Sequence, residues 1–565
     1  MEQTKLGLRE RLEGVLEAVR AVKSLCRVPS ISIGILHEGE VVFTGGVGER
    51  DVSSHELVNE ETLYTLCSIS KTFVSAAIGM LVDEGKIQWT DPVGQYLPGF
   101  KPRGDCRVAE EATFNDFLRH SSGLANPVVA ILGPSGKVIV PQEYFIKVAN
   151  ETPTDYEGNP WFNRSWMYSN LDYGLMTLFI ERASGASFAK FVQDRILDPL
   201  GMTSTAVSES QVTSMESKAA PYAQLADGSW HKLDHEWTSE KNSPVLGTVG
   251  IRSSVKDMLK WSAAVIDASE RAKARDSGKP MKVLSEMKKN SLKEIDCILD
   301  DYWWGRPHDD PFQNESRYHL GWMKVVMPRC MVSWGSWNKT LADSISVEDH
   351  SFRDANILGT QSEKRLMFKS TGCGFCGVGS VNIFPETHTA IVVFSNGINC
   401  GDAADFVASL YIQEVFDLQP RVDILSVAKA EVTTRLEDFH GIMKDLQEHR
   451  GDPPASKHDH AEFVGKYHGF GISIMVRDEA DADGRFELCF NGREDLVQQL
   501  HYYNVDQYTY WPESRDECLK GGWLDWDFYM VGILTFTRDE SGVVNGFTWV
   551  WEDGAEPYLF KKTTD

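Results

Sequence analysis

The chain has 565 residues, 42% of them hydrophobic and 25% charged, a soluble globular composition that excludes intrinsic disorder, a collagen-like fibre and a membrane bundle. At roughly 100–200 residues per domain, this length predicts one large domain and a smaller one. The 57 lysines and arginines against 82 aspartates and glutamates give a formal net charge of −25. Such a chain repels phosphate backbones and anionic lipid surfaces, so neither nucleic acid nor a membrane is expected as a partner, and the charge serves solubility.

Residues 5–25 read as an amphipathic helix. Charges run through it and it has no apolar core segment, so a secretory leader is not expected. No stretch approaches 18 apolar residues, so no membrane-spanning helix is expected either. The ten cysteines are scattered, unlike a disulfide framework. The N-x-S/T sequons at Asn150, Asn163, Asn314 and Asn338 read as chance. Together these features predict a cytoplasmic protein with reduced thiols.

SISIGILHEGEVVFTGGVGE (30–49) alternates around Glu38-Gly39 and predicts a β-hairpin. Residues 68–85 have helical spacing and end at Gly85, a C-cap. After the Asp91-Pro92-Val93 loop, 113–120 read as a short helix closed by Ser-Ser-Gly. Helices follow over 171–183, stopping at Ser184-Gly185, and over 187–197, stopping at Asp198-Pro199-Leu200-Gly201. Residues 266–316 are polar, lysine-rich and contain Trp303-Trp304; they read as an irregular insertion or lid. Strands are expected at 380–386 and 389–396, and helices at 402–416 and 424–447. GDPPASKHDH (451–460) reads as a linker. Beyond it, short aromatic-rich alternating segments predict an all-β, barrel-like domain. The expected organisation is a large domain over 1–435, a helix end and linker over 436–460, and the barrel over 461–565. Strands at both ends of the large domain, with helices between, predict an α/β (α+β) fold whose terminal strands share one antiparallel sheet.

Three signals carry chemistry. Ser68 and Lys71 form S-x-x-K at the start of a helix, which places both side chains on one face. A serine hydroxyl needs a base to become a nucleophile, and a partly desolvated lysine can serve. The bland alternative is a capping serine with an exposed lysine. In Tyr168-Ser169-Asn170 the phenol can shuttle a proton and the Asn170 amide can hold a substrate carbonyl or the lysine. Lys369-Ser370-Thr371-Gly372-Cys373-Gly374 precedes a strand, where a small-residue edge lets a substrate approach backbone N–H groups.

Conjunction and order of these motifs resemble the serine β-lactamase and penicillin-binding-protein family, particularly the class C β-lactamase branch with its esterases, D-aminopeptidases and acyltransferases. Further landmarks appear in family order over roughly residues 10–420. They are Val28-Pro29, Asp91-Pro92-Val93, Tyr96-Leu97-Pro98, Leu118-Arg119-His120-Ser121-Ser122-Gly123-Leu124, Tyr173-Gly174, Asp198-Pro199-Leu200-Gly201-Met202, Leu320-Gly321-Trp322 and Phe384-Pro385-Glu386. The 461–565 segment is similar to a lipocalin-like barrel appended to some members. The resemblance implies a β-lactamase/transpeptidase-like fold, with an antiparallel sheet flanked by helices. It implies Ser68 as the acylated nucleophile, Lys71 as its activator, and Tyr168 as general base and then general acid. Asn170 would orient substrate, and the N–H groups of Ser68 and Cys373 would form the oxyanion hole. The family's third motif is usually Lys-Thr-Gly or His-x-Gly. Counted back from Phe384-Pro385-Glu386, Ser370-Thr371-Gly372 falls on it and Lys369 points to the opposite face, unless a bulge returns it. With Ser370 in that place, the cation that grips a substrate carboxylate is missing, which favours neutral esters, amides or thioesters.

The implied activity is a serine hydrolase working through an acyl-enzyme on a small-molecule acyl substrate, with no cofactor and no metal. An acyltransferase passing the group to an alcohol or amine is the alternative. A β-lactamase or D-amino peptidase, and a non-catalytic binding protein of the same fold, are further ones. The oligomeric state is left open. Gly372-Cys373-Gly374-Phe375-Cys376-Gly377 fits G-x-G-x-x-G but precedes a strand rather than a helix, against a dinucleotide site. Its lone C-x-x-C argues against zinc. Cys67 is expected buried behind the nucleophile. His120 reads as a structural hydrogen-bonding residue, and His319 and His350 as structural or surface residues. Trp303, Trp304, Trp334 and Trp337 read as packing residues, with an aromatic substrate wall as the alternative.

Overall fold

The computed structural model describes residues 2–133, 136–156, 158–234, 243–277, 291–299, 317–331, 337–338, 340–344, 350–452, 460–479, 485–523, 529–552 and 555–563. Two compact units emerge, each from separated pieces of chain: residues 1–91 with 176–437, and 92–175 with 438–565.

The first unit is built on an eight-stranded sheet. Its order is Arg317–Tyr318, Met323–Met327, Arg365–Gly374, Gly377–Phe384, Thr389–Asn396, Ser30–His37, Glu40–Asp51 and Glu56–Leu57. The Ser30–His37 strand pairs antiparallel with Thr389–Asn396 on one side and with Glu40–Asp51 on the other, so early and late segments share the sheet. Every residue of Gly377–Phe384 and Thr389–Asn396 is buried, in keeping with the unbroken apolar run Ala390–Phe394 in the second of them. Helices cover both faces. A Cβ on Gly34 would lie 3.1 Å from Leu259 of the Val255–Ser277 helix. Its neighbour Ile35 points the other way and pairs with Phe43, whose ring packs 5.5 Å from Tyr411 of the Ala403–Val415 helix.

Two expectations change. The helix expected over 5–25 divides into Glu2–Gly14 and Leu16–Leu25, with a tight Val15 N to Leu12 O bond of 3.3 Å beside Gly14. The insertion expected from 266 is helical to Ser277, because Val255–Ser277 is one helix of 23 residues. Its Ser-Glu-Arg-Ala-Lys-Ala-Arg end is a run of good helix formers. A short helix, Ile295–Leu299, follows. Residues 278–290 and 300–316, with Trp303 and Trp304, lie outside the described residues, as does most of the 451–460 linker.

In the second unit, nine strands form one antiparallel sheet running from Val497–Gln499 at one edge to His501–Asn504 at the other. Only Leu500 separates those two edges in sequence, so the sheet must curl until it nearly closes. Aromatic rings fill the curl: Tyr467 and Phe536, from strands that are not neighbours, lie 5.8 Å apart, and Phe486 and Tyr508 lie 4.8 Å apart. The short helices of 92–175 pack on this barrel. Asn491 Nδ2 donates to Ile139 O at 2.6 Å, Arg493 donates to Val138 O at 3.0 Å, and Tyr558 Oη donates to Glu151 at 2.8 Å. Gly471, at φ +70°, admits Val148 N to 2.9 Å of where a Cβ would stand.

Candidate active site

Ser68 sits in the 3-10 turn Cys67–Ser70, which runs directly into the Lys71–Asp83 helix. Neighbouring segments pin the turn on both sides: Leu66 N donates to Ile251 O at 2.8 Å and Ile251 N donates to Ser70 Oγ at 3.2 Å. The helix is buried from Lys71 through Leu81, and Phe73 stacks on Trp261 at 4.2 Å. It ends in a Schellman motif, with Gly85 at φ +70° and bonds from Lys86 N to Leu81 O and Gly85 N to Val82 O.

Inside this frame Lys71 Nζ lies 3.0 Å from Ser68 Oγ and donates to Thr248 O at 3.2 Å. Lys71 is only 1% exposed, and this desolvation holds its pKa well below the usual lysine value. An amine so shifted gives up its proton more readily than an exposed lysine does. Cys67, at φ +48°, is buried, and its Sγ lies 3.8 Å from Gly377 O. Burial pushes its thiol pKa well up, so the sulfur beside Ser68 resists ionisation.

The Arg365–Gly374 strand passes against this turn. A Cβ on Gly372 would fall 2.1 Å from Leu66 O and 3.1 Å from Ser68 N, so glycine is what admits the approach. Ser370, two residues earlier on the same face, donates to Gly321 O at 3.4 Å, and Gly321 lies against the Lys71 carbonyl. Lys369 points away. Its Nζ meets Asp405 Oδ1 at 2.5 Å beneath the sheet, with Arg329 at 3.8 Å from the same oxygen. The ladder from Phe368 to Gly374 is unbroken, so no bulge returns Lys369 to the face that carries Ser370 and Gly372. Burial and the adjacent Asp405 push Asp402, which caps the Ala403–Val415 helix, up to about 7. Sequence reasoning passed over Asp405 and Thr248. The Asp402-x-x-Asp405 spacing marks a helix start but not a partner for Lys369.

In the second unit, Tyr168 and Asn170 are half-buried. The Tyr168 ring lies 4.5 Å from the His120 ring and 6.2 Å from that of Trp166. Asn170 N donates to Asn126 Oδ1 at 2.9 Å. Asp172 is fully buried and accepts Ser122 Oγ at 2.9 and 3.0 Å; burial raises its carboxyl pKa well above the usual range.

The beta-lactamase family model matches residues 17–405. The chain belongs to the beta-lactamase family. It is 32% identical over 171 residues to penicillin-binding protein 4* of Bacillus subtilis, covering 30% of this chain and 36% of that one. It is 26% identical over 337 residues to the unguisins hydrolase ungD' of Aspergillus campestris, covering 56% and 55%. The chain thus spans between about a third and just over half of the curated relatives it matches. The octameric penicillin-binding protein homologue from Pyrococcus abyssi shares the fold over 98% of this chain and 99% of its own, with a TM-score of 0.53 at 18% identity.

In this beta-lactamase-family chain, Ser68, Lys71, Ser370 and Gly372 come together in the first unit, and Thr371 and Cys373 follow on the same strand. Tyr168 and Asn170 belong to the second. Of the G-x-G-x-x-G residues, Gly372, Cys373 and Gly374 end the Arg365–Gly374 strand, Gly377 opens the Gly377–Phe384 strand, and Phe375 and Cys376 form the turn between two strands rather than a strand-to-helix turn. His319 is buried and Trp337 is exposed. Trp334 and the side chain of His350 lie outside the described residues. Among the described residues no helix is long and apolar enough to cross a membrane.

Proposed function

We propose that this chain is a serine hydrolase that forms an acyl-enzyme at Ser68 on a neutral ester, thioester or amide. The observation that carries this reading is the buried Lys71 amine, 3.0 Å from the Ser68 hydroxyl. Lys71 takes the Oγ proton as Oγ attacks the carbonyl carbon. The N–H groups of Ser68 and Cys373 hold the oxyanion, Tyr168 delivers a proton to the leaving group and is restored by the Oγ proton that Lys71 took up, and Asn170 orients the substrate. Water then releases the acyl group. The family resemblance supports the roles of Tyr168, Asn170 and Cys373. Lys369 turned to Asp405, with Ser370 on the nucleophile's face, supports substrates without a carboxylate at that subsite. The relatives named as unguisins hydrolases fit a hydrolytic rather than a transfer reaction. The proposed functional organisation is a hydrolase domain over 1–435 and a barrel over 461–565. The acidic composition and the scattered cysteines fit a reducing, cytoplasmic setting.

Intact-mass spectrometry of wild type and Ser68→Ala tests this, after exposure to a short p-nitrophenyl ester, a long-chain acyl thioester and a penicillin. An acyl adduct on wild type alone is expected, strongest with a neutral probe. Turnover by Ser68→Ala would refute the assignment. Adding an alcohol or amine acceptor separates hydrolysis from transfer, which would show as an acylated acceptor. Tyr168→Phe is expected to slow turnover roughly 10²–10⁴-fold, the range for lost acid–base catalysis.

A further inference from the structure

Tyr168 lies between two backbone N–H groups that end on the same residue. Met167 N donates to the His120 carbonyl at 2.9 Å, and Ser169 N donates to His120 Nδ1 at 3.1 Å. The His120 imidazole then lies against the Tyr168 ring, 4.5 Å between centroids. One histidine therefore fixes the backbone on both sides of Tyr168 and one face of its phenol.

His120 is itself tightly specified. It is 1% exposed and adopts φ +65°, a left-handed conformation uncommon for residues with a side chain. Trp166 and Tyr173 complete the ring of aromatics around it, at 5.7 and 5.2 Å. Tyr173 Oη donates to Leu118 O at 2.5 Å, which ties the start of the Asn170–Ser184 helix to the segment carrying His120. Because Nδ1 accepts from Ser169, the neutral ring carries its proton on Nε2. The Asp172 carboxyl lies 3.9 Å from Nδ1 and bonds the Ser122 hydroxyl.

We propose that His120 is the positioning residue of Tyr168, clamping residues 167 and 169 so that the phenol is held where it delivers its proton. The inference rests on the reading of Tyr168 as proton carrier. His120 touches no reacting atom in this scheme; it acts through Tyr168 alone.

Side-chain geometry supplies the test. Asparagine tolerates the left-handed conformation, and its Oδ1 can stand where Nδ1 accepts the Ser169 N–H. Glutamine presents its polar group further out and leaves that N–H without its acceptor. His120→Asn is therefore expected to keep activity within a few fold, and His120→Gln to lose roughly 10²-fold in kcat with KM little changed, the scale of a 1 Å misplacement. The loss should also depend on the leaving group. A p-nitrophenolate leaves without a proton and an alkoxide does not, so His120→Gln should impair an alkyl ester far more than the p-nitrophenyl ester of the same acid. Tyr168→Phe should show the same pattern, and His120→Gln should add little to it. Melting curves establish that each variant is folded. Equal loss on both esters, a full additional loss in the Tyr168→Phe background, or no rescue by asparagine would overturn the positioning role. Tyr168→Phe that keeps turnover on the alkyl ester would instead refute the reading of Tyr168 itself.

Discussion

At Lys71 stability and reactivity pull in opposite directions. An amine taken out of water resists protonation, so the folded chain releases a proton at lower pH than the unfolded chain, whose lysine titrates near 10.5. Between the two values the unfolded chain binds the extra proton. Stability therefore rises with pH across that window and levels off above it. Lys71→Met, similar in length and apolar, removes the penalty. It should melt higher than wild type by about 1–3 kcal/mol of stability and have no turnover, with the gap shrinking as the pH approaches the unfolded value. A variant that melts lower than wild type at every pH would show that the buried amine is a net stabiliser. Ser68 and Lys71 were legible from the sequence because three residues apart on a helix means one face. The choice between Lys369 and Ser370 was not, since a shift of one residue reverses the face of a strand, and what settles it is Asp405, 36 positions downstream.

Among elements, the Arg365–Gly374 strand is the most constrained, held from both faces. On one side Gly372 lies against the Leu66 carbonyl and Ser68 N; on the other Lys369 is fixed to Asp405. Gly372→Ala forces a methyl group into a carbonyl oxygen, so the strand must retreat; acylation of Ser68 by a p-nitrophenyl ester should fall by about 10²-fold. Lys369→Met leaves Asp405 buried with a weaker partner and should cost about 3–5 kcal/mol in urea unfolding. The Lys369→Met/Asp405→Asn pair should cost less than the sum of the single changes, and KM should stay unchanged because Lys369 faces away from Ser68. A large KM effect with stability intact would return Lys369 to the substrate. The strands and helices around this site were readable from alternation and capping residues. The Val255–Ser277 helix was only half readable: its first turns bury Met258, Leu259 and Trp261, while beyond Ile266 only small alanines, Ala268 and Ala272, mark the buried face among charged residues.

Over the whole molecule the two units are each assembled from distant stretches, which no local pattern announces. The helices of 92–175 look like part of the sheet domain in sequence, but their Val138 and Ile139 carbonyls and Glu151 are bonded by Arg493, Asn491 and Tyr558 of the barrel. Removing 461–565 should therefore raise amide hydrogen exchange across 120–170 and abolish turnover, while Ser30–His37 and Thr389–Asn396 stay protected. Equal protection of 120–170 with and without the barrel would show that those helices stand alone. The same arrangement sets an order of events during synthesis. At roughly 5–20 residues per second, Ser30–His37 emerges with one flank bare and waits tens of seconds or less for Thr389–Asn396. Glu151 waits longer still, for Tyr558. A ribosome that stalls in the barrel holds a chain in which Ser68 and Lys71 are already synthesised while Ile139, Val138 and Glu151 still lack their bonds to Asn491, Arg493 and Tyr558.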